Sequence, residues 1–283
     1  MQPIWKSAAL LLLVTALAEV PAADAQENGW TWSDAAELSF VFTGGNSSVN
    51  TLGLKNTLTG TGGNSKFVLE LGGVRTESAV KTRVANGTPT NFTITETSES
   101  QLTAESFFAR GRYDLLFSEK GYWFTGAKWN RNTFSGISSR VTFVSGLGGQ
   151  LADTDQFRLG TDLGVTYTFQ DNVAIGPADR FGGLQFTYDL MKTVTSNSIF
   201  ESKLILDENL QDTEDLRGDW TNALTVAMSS RLALKTGLQF LFDNQPSFVD
   251  IPLIEAGGDM GNTVPAVLNK IDSVFTIALV VNF

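Results

Sequence analysis

Apolar and polar residues alternate at every second position from about residue 35 to the end of the chain. In the segment 37–43, for example, one row is Leu38, Phe40 and Phe42, and the other is glutamate, serine, valine and threonine. Helices produce a period near 3.6, whereas the side chains of a strand point to opposite faces in turn. The pattern therefore predicts a chain of β-strands with one apolar and one polar face.

About twelve segments of the sequence carry this alternation. Many of them contain the roughly 9–11 residues that a tilted strand needs to cross a bilayer, whereas strands of soluble sheets average about 5–6 residues. Their length therefore favours strands that span a membrane. The predicted strands lie at about 37–43, 51–58, 66–71, 107–117, 122–133, 139–151, 156–170, 180–192, 196–208, 214–228, 230–243 and 271–283.

The links between the predicted strands are mostly short and long in turn. Outer-membrane barrels show this asymmetry, because their periplasmic turns are short and their external loops are free to be long. Short turns lie near 60–65, 118–121, 152–155, 192–195 and 229–230, and long polar links near 77–99, 171–179, 208–214 and 244–270. The sequence leaves open whether the longest link, 244–270, folds inward as a plug.

A sheet that lies in hydrocarbon has to close on itself. Every unpaired N–H or C=O group costs several kcal/mol there, so no strand edge can face lipid. We therefore predict an all-β fold, a closed antiparallel transmembrane β-barrel of about 12 strands. With the short turns on the periplasmic side, both the N-terminus and the C-terminus are expected to be periplasmic.

The first residues have the pattern of an export signal. Lys6 supplies a positive start, residues 8–18 an apolar stretch, and Ala23-Asp24-Ala25 a cleavage site of small residues. We therefore expect residues 1–25 to be a cleaved signal peptide and residues 26–283 to form a single outer-membrane β-barrel domain. No later stretch reaches the roughly 20 apolar residues of a membrane-spanning helix. The expected location is the bacterial outer membrane.

Composition removes several classes of function. The chain contains no histidine, which excludes imidazole bases, Ser-His-Asp triads and most transition-metal sites. It contains no cysteine, so disulfides cannot stabilise it. Its net charge of −10 argues against nucleic acid as a partner. We therefore predict no catalytic, cofactor-binding or metal-binding residues, no cofactor and no enzymatic activity.

The final segment carries an unbroken apolar row that ends on an aromatic residue. This row resembles the signal that the barrel-assembly machinery of the outer membrane reads. It consists of Phe275, Ile277, Leu279, Val281 and Phe283. The expected partners are therefore the assembly machinery during biogenesis, and outer-membrane lipid and lipopolysaccharide afterwards. A monomer is favoured.

The polar row of the strands carries the charges, so it is predicted to face the barrel lumen. Basic and acidic residues are balanced there, which favours ion pairing in a filled lumen. Seven of these residues form a candidate luminal charge cluster: Glu70, Arg110, Arg112, Asp114, Arg140, Arg158 and Asp162. Arg110, Arg112 and Arg140 could instead bind a phosphate or carboxylate.

Two further groups have a structural and a functional interpretation. The acidic stretch 207–215 is either a solvated outer loop or a site for Ca²⁺ or Mg²⁺, although it lacks the ordered ligand spacing of a calcium loop. An aromatic group is predicted to form girdles at the membrane interfaces. It consists of Trp30, Trp32, Tyr122, Trp123 and Trp129.

Several short motifs resemble one protein family. The run 129–140, with Phe134, Gly136, Ile137 and Arg140, resembles the aromatic/F-x-G-I-x-x-R pattern of the salt-induced outer-membrane proteins (domain of unknown function 481). A G-x-G pattern follows at 146–148. The further matching segments are Thr43-Gly44-Gly45-Asn46 and Phe242-Asp243-Asn244 with the later Asp272. The resemblance implies an outer-membrane barrel and supplies no reaction.

Three functions remain open at this point. The first is a porin-like barrel with a structural or envelope-adaptation role and a filled, mixed-charge lumen. The second is a narrow pore for ions or small solutes. The third is an outer-membrane enzyme that hydrolyses lipid or peptide, for which a serine nucleophile would need a lysine base or a carboxylate arrangement.

Overall fold

The computed structural model describes most of the chain that follows the predicted signal peptide. The described residues are 29–43, 47–88, 91–132, 135–173, 178–246, 248–255, 258–267 and 269–282. The predicted signal peptide (1–25), most of the Thr43-Gly44-Gly45-Asn46 motif, Phe134 and Phe283 lie outside these ranges. No helix in the described part of the chain is long and apolar enough to cross a membrane.

The described residues form fourteen strands. The first seven are β1 (Trp30–Thr43), β2 (Ser47–Gly62), β3 (Ser65–Thr88), β4 (Asn91–Leu116), β5 (Gly121–Asn132), β6 (Ile137–Asp153) and β7 (Phe157–Asn172). The others are β8 (Asp179–Thr195), β9 (Ser198–Asn209), β10 (Leu216–Ala227), β11 (Leu232–Asp243), β12 (Phe248–Glu255), β13 (Gly258–Val267) and β14 (Ile271–Asn282).

Twelve of these strands close into a barrel. Each strand from β1 to β11 pairs antiparallel with the next, β11 pairs with β14, and β14 returns to β1. β12 and β13 form a separate two-stranded sheet in the link between β11 and β14. The prediction of a closed antiparallel barrel of about 12 strands is therefore confirmed. We call the end with the turns after β2, β4, β6, β8 and β10 the turn end, and the opposite end the loop end.

Two links that the sequence analysis took for long polar loops contain strands. Within 77–99, β3 and β4 remain paired from Glu77↔Leu102 to Thr88↔Asn91, after a bulge at Thr76/Glu77. Within 244–270, β12 and β13 pair with each other. The prediction for 77–99 failed because two polar strands satisfy each other's backbone groups without the apolar face that the prediction required. The prediction for 244–270 failed because its Asn, Asp, Gly and Pro residues were taken to indicate a loop, although Val249, Ile251 and Leu253 alternate in it.

The alternation along each strand separates an apolar outside from a polar inside. β7 shows this most clearly, because Gly160, Asp162 and Thr166 are buried inside while Leu163 and Val165 are 61% and 62% exposed on the outside. Soluble monomers rarely expose continuous apolar surfaces of this size. The outward row is therefore suited to lipid rather than water.

Four of the five predicted girdle aromatics lie on the outer face. Trp30 stacks on Trp32 with ring centroids 5.7 Å apart, and Trp123 and Trp129 are also exposed outside. Tyr122 does not belong to a girdle, because its hydroxyl donates to Asp162 inside the lumen. The prediction for Tyr122 was wrong because it sits one position away from Trp123, and neighbours on a strand point to opposite faces.

The barrel closes by a short seam between its first and last strands. The described pairs between β1 and β14 run from Ala35↔Asn282 to Ser39↔Ala278. Both strands continue beyond the pair Ser39↔Ala278 toward the loop end, where β1 remains paired with β2 and β14 with β11. The pairing of the first strand with the last closes the barrel.

Candidate functional site

One side of the lumen is filled by a tightly bonded cluster on β4, β5 and β7. Arg112 donates from Nε to Asp114 Oδ1 at 2.6 Å and from its terminal nitrogens to both carboxylate oxygens of Asp162. Tyr122 Oη donates to Asp162 Oδ1 at 2.7 Å. The Arg112 guanidinium lies 4.2 Å from the ring centre of Phe124, which is 1% exposed. The charged groups of this cluster are therefore bonded to one another.

A second group of ion pairs crosses the lumen. Arg110 on β4 lies 3.7 Å from Glu70 Oε2 and 3.7 Å from Asp219 Oδ2 on β10. β4 and β10 are six strands apart in both directions around the twelve-stranded barrel, so this contact spans its diameter. Lys55 Nζ lies 3.1 Å from Glu70 and 3.7 Å from Glu37. Acidic and basic side chains therefore alternate across the lumen, in the order Asp219, Arg110, Glu70, Lys55 and Glu37.

Lys128, Asp207 and Gln185 form a luminal contact that was not identified from the sequence. Lys128 Nζ on β5 donates to Asp207 Oδ2 on β9 at 3.1 Å, and Gln185 Nε2 donates to the other oxygen of Asp207 at 2.7 Å. The assignment of Asp207 to an outer acidic loop was wrong, because β9 continues to Asn209 and turns Asp207 inward. The described residues contain no group of acidic side chains that could hold a metal ion.

Arg140 and Arg158, the other two members of the predicted cluster, have partners of their own. Arg140 Nε donates to Gln170 Oε1 at 2.6 Å, and Arg140 forms no contact ion pair among the described residues. Arg158 donates to the sulfur of Met191 at 2.8 Å at the turn end. The seven predicted residues therefore divide into the Arg112 cluster, the Arg110–Glu70 bridge, and two separate arginines.

Beside these groups the lumen contains a cavity of about 410 Å³, which we call the luminal cavity. Along β11 its lining runs from Lys235 to Asp243, which corresponds to about 26 Å at about 3.3 Å per residue. Its wall is formed mainly by the inner faces of β10, β11, β14, β1 and β2. The charged lining residues are Glu37, Lys55, Arg110, Lys128, Arg140, Asp207, Arg217, Asp219, Lys235, Asp243, Lys270 and Asp272.

Most charges in the middle of the luminal cavity are paired, whereas several at the loop end are not. Lys235 Nζ donates to Glu37 Oε1 at 3.0 Å. At the loop end, Lys270 Nζ donates to the neutral Asn244 at 2.9 Å and, like Arg140, has no contact ion pair among the described residues. The loop end of the cavity can therefore offer cationic groups to a solute.

The turn between β5 and β6 reaches across the loop-end mouth. Ser135 Oγ donates to Asp272 Oδ2 on β14 at 2.8 Å, although β6 and β14 are six strands apart in the barrel. Asn132 fixes the turn by accepting from Ser135 N at 3.2 Å. Gly136 has φ of 74°, which favours glycine. The glycine of the F-x-G-I motif thus allows the turn to bend inward over the mouth.

A closed antiparallel barrel with an apolar outside and a charged inside is the architecture of a transmembrane β-barrel protein. Residues 36–250 match the family described as "Protein of unknown function, DUF481". The chain belongs to this family, which confirms the resemblance found in the sequence. No curated protein matches the chain.

Several solved structures are similar to the chain at low sequence identity. The translocator domain of the autotransporter NalP from Neisseria meningitidis has 12% identity and a TM-score of 0.41, with 98% of this chain and 97% of that chain covered. An anion-selective porin from Comamonas acidovorans has 12% identity and a TM-score of 0.38, with 90% and 99% covered. A FadL homologue of Pseudomonas aeruginosa has 10% identity and a TM-score of 0.37, with 89% and 75% covered.

Proposed function

We propose that the protein is an outer-membrane barrel that provides a narrow passage for ions or small polar solutes. The observation that carries the proposal is the luminal cavity, whose lining on β11 extends from Lys235 to Asp243 and includes seven of these nine positions. At the tilt of about 35–45° that is usual in membrane barrels, this stretch spans about 20 Å along the barrel axis, which is about two thirds of the hydrocarbon thickness of a bilayer, about 30 Å. The charged and polar lining favours hydrated solutes over apolar ones.

The outer-membrane location rests on the surface of the barrel. Leu163 and Val165 on β7 and Phe275 on β14 belong to an outward apolar row that water would not favour. Closure of the barrel satisfies the backbone groups along most of its circumference without water. The export signal expected in residues 1–25 agrees with this location.

A structural role in the envelope is the second candidate function. It is favoured by the filled side of the lumen, where Phe124 is 1% exposed and Arg112 is bonded to both Asp114 and Asp162. If this packing extends through the lumen in the membrane, the barrel would not conduct. The two candidate functions therefore differ in whether the barrel conducts ions.

Single-channel recording in planar lipid bilayers tests the proposal. Purified wild-type protein is expected to produce small, discrete conductance steps. Gly237→Trp should reduce each step severalfold, because Gly237 lines the cavity and a Cβ there would meet its nearest atoms only at 3.8 Å and 3.9 Å. The new ring therefore has room to occupy the cavity rather than disrupt the wall.

Gly111→Trp is the matched control. Gly111 lies on the outward row of β4, and a Cβ there would have no atom within 4 Å. The ring should therefore face lipid and leave the conductance unchanged. Absence of steps from folded wild-type protein, or equal effects of the two substitutions, would overturn the passage and favour the structural role.

A further inference from the structure

The loop end of the luminal cavity contains a buried arginine whose donors are only partly used. Arg217 on β10 is 8% exposed, and its buried Nε has no hydrogen-bond acceptor among the described residues. Nε lies 3.5 Å from Asp215 Oδ1, an ion pair without the geometry of a hydrogen bond. Buried charged donors are normally hydrogen-bonded, because an unmet one loses the stabilisation that water gives it. Arg217 therefore has donor capacity for a further acceptor.

An aromatic ring holds the guanidinium of Arg217 beside the cavity. The guanidinium carbon lies 4.6 Å from the ring centre of Phe181, which is 5% exposed. The ring attracts the cation but offers it no oxygen, so the N–H groups remain available to other acceptors. Because Arg217 lines the luminal cavity, a solute that enters the cavity can reach this group.

A second arginine faces the same end of the cavity. Arg140 on β6 is four strands from β10 around the barrel, and it also lines the cavity. Its Nε donates to Gln170 Oε1, and the amide nitrogen of Gln170 donates to Asn172 Oδ1 at 2.7 Å. This chain of hydrogen bonds fixes the guanidinium. Its terminal nitrogens form no hydrogen bond with the described residues, so they too can serve a solute.

One carboxylate lies close to both arginines. Asp243 on β11 is directly opposite Arg217 in the β10–β11 ladder and lines the cavity. Among the charged groups around Arg140, Arg217 acts most strongly on its charge and Asp243 acts next. Asp243 Oδ1 accepts from Gln245 N at 3.0 Å, and its other oxygen has no hydrogen bond with the described residues. We call Arg140, Arg217 and Asp243 the loop-end charge group.

Two other aspartates near this group already have side-chain donors. Asp207 accepts from Lys128 on one oxygen and from Gln185 on the other. Asp215 Oδ2 accepts from Asn209 Nδ2 at 3.0 Å, and Asp215 is outside the cavity lining. Asp243 is therefore the carboxylate that a solute between the two arginines would meet.

Two guanidinium groups and one carboxylate match the chemistry of hydrogen phosphate. Guanidinium groups bind oxoanions through pairs of parallel hydrogen bonds. A tetrahedral oxoanion presents oxygens in several directions and can accept from two arginines at once, whereas a carboxylate has only two oxygens in one plane. Inorganic phosphate also keeps a proton at neutral pH, which it can donate to a carboxylate. Sulfate has the same shape but no such proton, so an adjacent carboxylate repels it.

We propose that Arg140 and Arg217 bind a phosphate ion in the luminal cavity and that Asp243 accepts the proton of this ion. The inference rests on the proposed function, since it names a class of solute for the same passage. Lys270, which is exposed at the loop-end mouth and bonded to the neutral Asn244, would attract the anion to the entrance. The cavity of about 410 Å³ has room for the ion and water.

Titration of inorganic phosphate, followed by phosphorus-31 NMR line broadening, measures the binding. The purified protein would be folded in a phosphate-free maltoside detergent, at neutral pH and constant ionic strength. Arg217→Gln and Arg140→Gln should each weaken phosphate binding at least tenfold. Arg217→Lys keeps the charge but loses Nε and the planar fork, so it should weaken binding at least threefold.

Arg180→Gln is the matched control. Arg180 lies at the same end of the barrel, and its guanidinium carbon is 5.7 Å from the ring centre of Phe169, which is 39% exposed on the outer face. It does not line the luminal cavity. The substitution removes the same charge and the same kind of ring contact, and phosphate affinity should stay within twofold of the wild type.

Competition between phosphate and sulfate tests the role of Asp243. The wild type should bind phosphate at least tenfold more tightly than sulfate, because only phosphate can donate to the carboxylate. Asp243→Asn replaces the carboxylate with an amide that can donate to either ion. The affinities of this variant for the two ions should therefore lie within threefold of each other.

Three outcomes would overturn the phosphate site. They are equal losses of binding in Arg217→Gln and Arg180→Gln, equal affinities of the wild type for phosphate and sulfate, and discrete conductance steps from a protein that binds no phosphate. The last result would leave the passage intact. Phosphate binding without conductance would support the site and reject the passage, so the two failures are distinguishable. If Arg217→Gln fails to fold, Arg217→Lys and Arg140→Gln test the same group.

Discussion

Neighbouring residues on a strand of this barrel face two different solvents. Asp162 is 7% exposed among the donors of the lumen, whereas Leu163, the next residue, is 61% exposed on the outer face in the middle of β7. We expect Leu163→Arg to lower the free energy of unfolding by about 2–4 kcal/mol, because a charge near the bilayer midplane is poorly solvated. Urea unfolding in phospholipid vesicles, followed by tryptophan fluorescence, measures this change.

The same substitution close to the membrane boundary provides the control. Leu151 is 64% exposed and lies near the turn end of β6. Leu151→Arg should cost only about 0–1 kcal/mol, since its side chain reaches the interface. Equal costs at the two positions would show that the outward row does not lie in hydrocarbon.

The inside or outside position of most residues could be predicted from the sequence, because the period of two leaves only one choice per strand once its apolar row is known. Arg112, Asp162 and Leu163 follow this rule. The partners of the charged residues could not be predicted. Which lysine meets which carboxylate depends on strands far apart in the sequence, as for Lys128 and Asp207.

At the scale of elements, the turn between β5 and β6 controls the width of the loop-end mouth. Ser135→Ala removes the hydrogen bond to Asp272, and the turn should then move away from β14. We expect a larger mean single-channel conductance with a stability loss of no more than about 1.5 kcal/mol. Bilayer recording and vesicle unfolding measure the two quantities separately.

Ser139→Ala is the control for this element, because Ser139 Oγ accepts from Trp129 Nε1 at 3.1 Å on the outer face, away from the mouth. Its conductance should equal that of the wild type. An unchanged conductance in Ser135→Ala would mean that the turn does not restrict the passage.

The elements of the barrel wall were predictable, and the elements beyond it were not. Strands such as β7 and β11 carry an apolar row because one face meets lipid. The loop-end parts of β3 and β4 form in a segment where the sequence shows no such row, and the β12–β13 hairpin forms in a segment whose Asn, Asp, Gly and Pro residues indicated a loop. The inward bend of the β5–β6 turn was missed as well, because its bond partner, Asp272, is distant in the sequence.

At the scale of the whole molecule, the charge of the luminal cavity should determine which ions cross. Seven cationic and five anionic residues line it, so we expect a modest preference for chloride over potassium. Arg140→Gln removes one cation that has no contact ion pair among the described residues. At about 8 Å in water one charge contributes about 0.5 kcal/mol, roughly a twofold change for each ion, so the permeability ratio should shift about fourfold toward potassium.

Reversal potentials under a salt gradient measure this ratio. The shift should shrink in 1 M KCl, where the screening length falls to about 3 Å. Arg158→Gln is the matched control, because Arg158 lies at the turn end outside the cavity lining. A shift of the same size from Arg158→Gln would show that the cavity does not determine selectivity.

The length of the hairpin formed by β3 and β4 has a consequence for recognition at the cell surface. The strands contain 24 and 26 residues, and a bilayer crossing uses about 9–11 of them. If the loop end faces the exterior, more than ten residues of each strand project past the lipid as a paired ribbon. Antibodies and bacteriophage would then have access to this ribbon, and its backbone pairing would protect it from secreted proteases.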